Sequence, residues 1–288
     1  MANRRVLVKR RKAVRNIRKI TRTMQMIATA RFQAAFNRAV ASKPYSEKLA
    51  ELVADLARAS GGIDHPLMRR NDDAERSALV VITSNRGLCG GYNAGVLRAA
   101  IAHLDAERRP VDVHMIGKKG AGYFRYLRRP MAERTTSIDD KVRFEQVEPI
   151  ANDLIDRFAK GEIASAHVAY MRFLSTSRQT PEVLQLLPLA YDAGGEAEGG
   201  ARAVEYEFSP EPRALLDDLL PASVRTRLFQ CFTDAAVSEQ VARMVAMKAA
   251  TDAAGDMIKN LTRQYNRARQ TAITMELLDI VGGANALA

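Results

Sequence analysis

Residues 241–275 read VARMVAMKAATDAAGDMIKNLTRQYNRARQTAITM. Val241, Met244, Lys248, Thr251, Gly255, Ile258, Leu261, Tyr265, Ala268, Ala272 and Met275 fall three or four residues apart. A helix returns a side chain to the same side at that spacing, and a narrow stripe held for about five heptads marks a coiled-coil seam. Lys248, Thr251 and Gly255 make the middle of the seam weak, and its C-terminal half is better filled. Residues 213–281 read as helical, with Pro221 expected to mark a break or a first turn. From Ala222 to Val281 such a helix would be about 90 Å long.

A seam needs a partner, and the other end of the chain supplies one. Residues 4–58 read as one long helix interrupted once. Val14, Ile17, Met24 and Ala28 make a narrow stripe with Ile20, Thr21 and Ile27 beside it, and Arg and Lys fill the other faces. Pro44 is expected to kink or restart the helix, with Ser42 as the cap of the restart and Gly61-Gly62 as its end. About 55 residues of helix span roughly 80 Å, too long to lie across a small domain. Two long stripes, each too narrow for a bundle, are buried most economically against each other. The chain leaves and re-enters whatever lies between them, so the expected pair is antiparallel.

The middle of the chain has a different texture. Ser77 to Thr83 is a continuous apolar run typical of a buried strand, followed by a glycine-rich turn from Asn85 to Gly91. Helical stretches from Asn93 to about Ala106, up to about Leu127, and from Phe144 to Lys160 alternate with strand-like Val111–Ile116, Ala166–Phe173 and Val183–Leu189. Thr180-Pro181 are expected between the last two strands, and Asp192 to Gly200 reads as a surface loop. Alternation of this kind implies an α/β sheet with helices on its faces. The expected fold class is therefore a long antiparallel two-helix coiled coil plus a central α/β, Rossmann-like domain. The expected divisions are 1–60, 75–210 and 213–288, the last pairing with the first.

Composition narrows the function. Apolar residues make up 47% and charged residues 27% of the 288, which argues against wholesale disorder. No uncharged apolar stretch reaches the roughly 18–20 residues of a membrane-spanning helix, so no direct membrane insertion is expected. Cys89 and Cys231 are too far apart in sequence for a zinc-finger spacing and too few for a disulfide scaffold. His65, His103, His114 and His167 share no close metal-ligand spacing, so no metal is expected. Of the net charge of +11, residues 1–46 carry 13 Lys or Arg and no acid, leaving 31 basic and 33 acidic side chains for the rest. Positive charge concentrated in one helix points to an acidic partner surface, a nucleic acid or an anionic membrane. An Arg-rich start also fits a transit peptide, but transit peptides are serine-rich and Ser42 is the only serine before Ser46.

Four features each carry two readings. The turn Thr83-Ser84-Asn85-Arg86-Gly87-Leu88-Cys89-Gly90-Gly91-Tyr92-Asn93 could cradle a phosphate on exposed N–H groups. It matches neither the dinucleotide fingerprint nor a P-loop, so a tight strand-to-helix turn fits better. Cys89 at a helix start could be a nucleophile, but nothing nominates a histidine partner, and a structural cysteine fits better. The basic helix could bind nucleic acid, although its only aromatics are Phe32 and Phe36, with no base-stacking interleaving. Glu276-Leu277-Leu278-Asp279-Ile280-Val281-Gly282-Gly283-Ala284 ends a helix in an apolar tip that needs a sheath unless it folds back on its own domain.

Four stretches resemble the gamma subunit family of rotary F-type ATP synthases. Ile17-Arg18-Lys19-Ile20-Thr21-Arg22-Thr23-Met24-Gln25-Met26-Ile27-Ala28 is similar to that family's opening helix. Asn85 to Asn93 resembles its central motif, with Asn85 where Asp is common. Ala242 to Asp252 resembles its C-terminal helix, and Arg269 to Ala284 its signature, with Met275 replacing a polar residue and Asp279 a Glu. The resemblance implies a central-stalk rotor with no catalytic residues and no cofactor of its own, coupling rotation of a membrane c-ring to conformational cycling of catalytic beta subunits. It implies alpha, beta, epsilon and delta subunits and the c-ring as partners, and a peripheral place on the cytoplasmic side of a bacterial inner membrane. By the same resemblance, Met24, Arg243, Arg269, Gln270 and Thr274 contact beta. Leu277, Leu278, Ile280 and Val281 form the bearing tip, and Tyr206, Glu207 and Phe208 touch the c-ring.

Overall fold

A computed structural model describes residues 4–59, 65–189 and 212–287. Along the chain run α1 (Arg4–Ala59), β1 (Arg76–Ile82), α2 (Tyr92–Ala106), β2 (Val111–Ile116) and α3 (Lys118–Tyr126). They are followed by β3 (Glu133–Thr135), α4 (Phe144–Ala159), β4 (Ile163–Phe173), β5 (Gln179–Leu187) and α5 (Pro212–Leu287). Long helices at both ends thus flank a central α/β sheet domain, as the sequence pattern implied. Two compact units result, one from Ala30 to Ala242, the other from the residues up to Thr29 together with those from Arg243 onward.

The unit of residues 30–242 is built on a five-stranded sheet in the order β3-β2-β1-β4-β5. β1 pairs in parallel with both β2 and β4, β2 in parallel with β3, and β4 antiparallel with β5. β1 is apolar on both faces because both are covered. Leu79 and Val81 face a core with Val96, Leu97 and Phe124, whereas Ala78, Val80 and Ile82 face one with Phe158, Leu220, Leu228 and Phe232. Leu49 and Val53 of α1 join that second core. Phe32, Phe36 and Phe173 form a further cluster over Ala35, Ala39 and Val237.

Several boundaries differ from the sequence reading. Thr180 and Pro181 lie inside β5, with Pro181 opposite Met171, and the reversal occurs at Leu174–Arg178 instead. β5 is an edge strand, where a residue without an N–H is tolerated. β3 has three residues, too few for a periodic signal. Neither proline breaks its helix. Pro44 sits within α1, and Ser42 does not cap a restart: its hydroxyl donates to the Ala39 carbonyl at 3.1 Å, and Ser46 donates to the Ser42 carbonyl at 3.2 Å. Pro221 lies inside α5, which begins at Pro212. An interior proline costs about 3 kcal/mol. Burial of Leu216, Leu220, Val224 and Leu228 around it, each stabilising by roughly 1.5–3 kcal/mol, exceeds that. The expected end at Gly61-Gly62 and the loop at Asp192–Gly200 lie outside the described residues.

In the other unit, α1 and α5 pair with antiparallel register. Arg11 lies over the Tyr265 ring at 5.0 Å, the Arg18 guanidinium approaches Gly255, and Thr21 meets Thr251. Residue numbers rise on one helix as they fall on the other. On α5 the inward positions are Met247, Thr251, Ala254, Ile258, Leu261, Tyr265, Ala268 and Ala272, in strict steps of four and three. This corrects the expected seam, which stepped from Gly255 to Ile258 to Leu261 by threes. Lys248 is exposed and Met247 takes the inward place; Ala254 replaces Gly255; Met275 is 50% exposed. On α1 the inward positions include Leu7, Arg11, Val14, Thr21, Gln25 and Ala28, whereas Ile17 and Ile20 are 52% and 59% exposed. Ile17 was read as seam and forms part of an outward apolar ridge instead.

Candidate functional site

The glycine-rich turn is a brace. The Ser84 N–H donates to Asn93 Oδ1 at 3.0 Å, and Asn93 Nδ2 donates to Ser84 Oγ at 2.8 Å and to Cys89 Sγ at 3.2 Å. Ser84 Oγ also donates to the Arg86 carbonyl at 2.6 Å. Leu88 and Gly90 hold left-handed backbone, with φ of 63° and 55°, which turns the strand sharply into α2. Asn85 accounts for its own departure from the family pattern. Its Nδ2 donates to the Ile138 carbonyl at 2.8 Å while its Oδ1 accepts from the Lys118 N–H at 3.1 Å. An ionised Asp could only accept. Cys89 is 2% exposed and its sulfur is engaged, so the structural reading of this cysteine holds. Burial pushes the Cys231 thiol up, which makes it a poor nucleophile as well. Among the described residues no group of three His, Cys, Asp or Glu side chains is placed to hold a metal.

The surface that calls for a partner is the end of the helical pair. Counting seven residues on from both members of the Arg11–Tyr265 pair brings Arg4 opposite Ala272. Beyond Ala272, α5 has no described α1 residue beside it. There Leu277, Leu278, Ile280 and Val281 are 56%, 60%, 68% and 55% exposed, and Ile273 and Met275 are about half exposed too. At 100° per residue these six side chains sweep about 220° of the helix circumference. Glu276 and Asp279 fall in the remaining sector. An amphipathic helix docking on one surface would show one apolar face; this one is apolar most of the way round, as a helix enclosed by a sleeve would be.

The remaining residues singled out in the sequence separate into groups. Arg269 and Gln270 are exposed beside the apolar tip, and the Thr274 hydroxyl donates back to the Gln270 carbonyl at 3.0 Å. Met24 is half-buried on the pair, near the outward ridge of Ile17, Ile20 and Ile27. Arg243 is 7% exposed and already engaged within the chain, which leaves it little surface for a partner. Tyr206, Glu207 and Phe208 lie outside the described residues. The sequence reading missed the Thr21–Thr251 contact at 2.8 Å, which places a polar step in the seam. Thr at a seam position was the available signal.

An antiparallel helical pair with an exposed apolar end, in a chain that also holds a mixed-sheet α/β domain, is the pattern of a coiled-coil stalk protein. The family model described as ATP synthase matches residues 3–287. An ATP synthase gamma chain from Rhodopirellula baltica is 43% identical, covering 100% of this chain and 99% of the relative. One from Leptospira biflexa is 40% identical over the full length of both. Among solved structures, a chain in the Euglena gracilis mitochondrial ATP synthase has a TM-score of 0.70 at 18% identity, covering 99% of this chain and 94% of that one. The chain belongs to the ATP synthase gamma chain family, whose members are central-stalk rotor subunits of the F-type enzyme. The nucleic-acid reading of the basic helix finds no support in these comparisons.

Proposed function

We propose that this chain carries torque between a membrane c-ring and the catalytic beta subunits of an ATP synthase, as a subunit without a catalytic or nucleotide site of its own. The observation that carries this reading is the end of α5 beyond Ala272, with side chains from Ile273 to Val281 exposed around most of the helix. A shaft end held by non-directional apolar contacts turns with little friction, because no directional bond has to break at each angle. Polar contacts at such a bearing are few. We assign them to Arg269, Gln270 and Thr274 against beta, with Met24 and the basic flank of α1 toward an acidic lever surface of beta. Arg243 is engaged within the chain, with only a small exposed edge for a beta carboxylate. Tyr206, Glu207 and Phe208 are assigned to the c-ring contact, and alpha, epsilon and delta complete the partner set. No described helix is long and apolar enough to cross a membrane. A peripheral position on the cytoplasmic side of a bacterial inner membrane, held through the c-ring, is part of the proposal.

The test is assembly and coupling. Tagged chain is expected to co-purify with alpha, beta and epsilon, and alone to hydrolyse no ATP. The double substitution Arg269→Ala with Gln270→Ala is expected to lower coupled ATPase or proton pumping by at least about tenfold, since one lost charged contact alone is on that scale. Wild-type coupling in that double mutant would discard the assignment of this patch, and ATP turnover by the isolated chain would discard the non-catalytic role.

A further inference from the structure

The domain of residues 30–242 carries a further surface, which meets the glycine-rich turn at Asn93. Between α2 and α3 runs an open cleft of about 550 Å³ lined by Ala94, Leu97, Ile101 and Tyr123, with Arg98 and Lys119 among its edges. No carboxylate lines it. From Gly117 to Ala132 the chain has five basic residues and no acid. Of these, Arg129 is spent on Asp105 at 2.7 Å. Lys118, Lys119, Arg125 and Arg128 are exposed and make no ion pair with a described residue, and the same is true of Arg98. Tyr126 follows Tyr123 by three positions on α3, hence on nearly the same face, and is 82% exposed.

From this juxtaposition we propose that the α2–α3 cleft docks an amphipathic helix of a protein partner, with apolar side chains seated over Leu97 and Ile101 and carboxylates flanking them. The complementarity runs on two counts. The floor is apolar and concave, which fits a ridge of side chains and not the flat face of a lipid surface. The rim is cationic without a compensating carboxylate, so a basic or neutral helix gains nothing there while an acidic one is both attracted and oriented. Exposed tyrosines at the margin supply large contact area at small entropic cost, as at protein interfaces generally. The site is separate from the bearing surface, and the proposal rests on the chain being a subunit of a larger assembly.

Photocrosslinking in the assembled enzyme tests it. Full-length chain with Tyr123→p-benzoylphenylalanine or Tyr126→p-benzoylphenylalanine is purified in complex, irradiated and mapped by mass spectrometry, with Asp156→p-benzoylphenylalanine on α4 as the control. The expected product joins Tyr123 or Tyr126 to a helical segment whose apolar residues are flanked by Asp or Glu, and the control does not join that segment. Arg98→Glu combined with Lys119→Glu is expected to lower the crosslink yield about tenfold, and Arg98→Lys with Lys119→Arg to leave it within about twofold. Crosslinks to lipid, to a basic segment or to nothing overturn the proposal, as does a yield indifferent to the charge reversal. Co-purification of the other subunits is scored in the same samples. A chain that never enters a complex refutes the subunit reading, whereas an intact complex without the crosslink refutes only the docking site.

Discussion

Gly255 lies in the interior of α5, where a glycine costs roughly 0.5–1 kcal/mol relative to alanine because its backbone has more freedom to lose. A Cβ added there would meet only the Arg18 guanidinium, at 3.8 Å, which is ordinary van der Waals contact. Gly255→Ala therefore carries no steric penalty and should stabilise the pair by about 0.5–1 kcal/mol. It also places a methyl beside the polar Thr21–Thr251 step, where the seam has least apolar area to bury. The effect belongs to one unit, so the measurement must be local. Hydrogen–deuterium exchange read on peptides covering residues 244–272 should slow by about two- to fivefold, the factor equivalent to that free energy. Peptides from α2 and β4 should not change. Unchanged or faster exchange in residues 244–272 would refute the reasoning, and would mean that Arg18 packs on the bare glycine backbone in a way the methyl disturbs.

Gly120 offers the opposite case. A Cβ there would lie 2.6 Å from Thr83 Oγ1 and press on the Met115 sulfur, so Gly120→Ala should destabilise the α/β domain by about 1–3 kcal/mol, seen as a lower denaturant midpoint. The pH response should come in part from His167, whose pKa is pushed down to about 4 by burial and then by His103, against a raising influence from Glu107. Its folded form resists the proton that the unfolded chain accepts near pH 6.5, so its stabilisation is complete above pH 6.5 and is lost as pH falls toward 4. Allowing for partial exposure, wild type should lose about 1–2 kcal/mol more than His167→Gln between pH 7 and 4.5 in urea titrations; parallel curves would exclude this source.

Much of the architecture could be read from residue spacing, because long helices and buried parallel strands advertise themselves by period. The antiparallel pairing of the termini followed from two narrow stripes with no other economical burial. Register was harder. Gly255 and Ala254 differ by one position, and only the facing helix decides which points inward, so the reading was one residue off at Lys248 and Gly255, on either side of a correctly placed Thr251. Ile17 was misplaced for the same reason, since apolar residues on an outward ridge and on a seam look alike until a partner is present. The two prolines misled because propensity is local, while Leu220, Val224 and their neighbours hold α5 together through burial. At the end of α5, Leu277 to Val281 were visible as an apolar stretch at a helix end. The cleft between α2 and α3 was not, because its two walls come from stretches of sequence that only the folded sheet brings side by side.

Four of the fourteen inward positions named for the helical pair are alanines: Ala28, Ala254, Ala268 and Ala272. Helix axes approach to about 8 Å over alanines, against about 10 Å over larger residues. The bending resistance that two coupled rods gain from their separation grows as the square of that distance, so the closer spacing keeps about two-thirds of it. Where those alanines lie the pair is at its slimmest, and there it flexes sideways under load more readily than a leucine-filled stretch would.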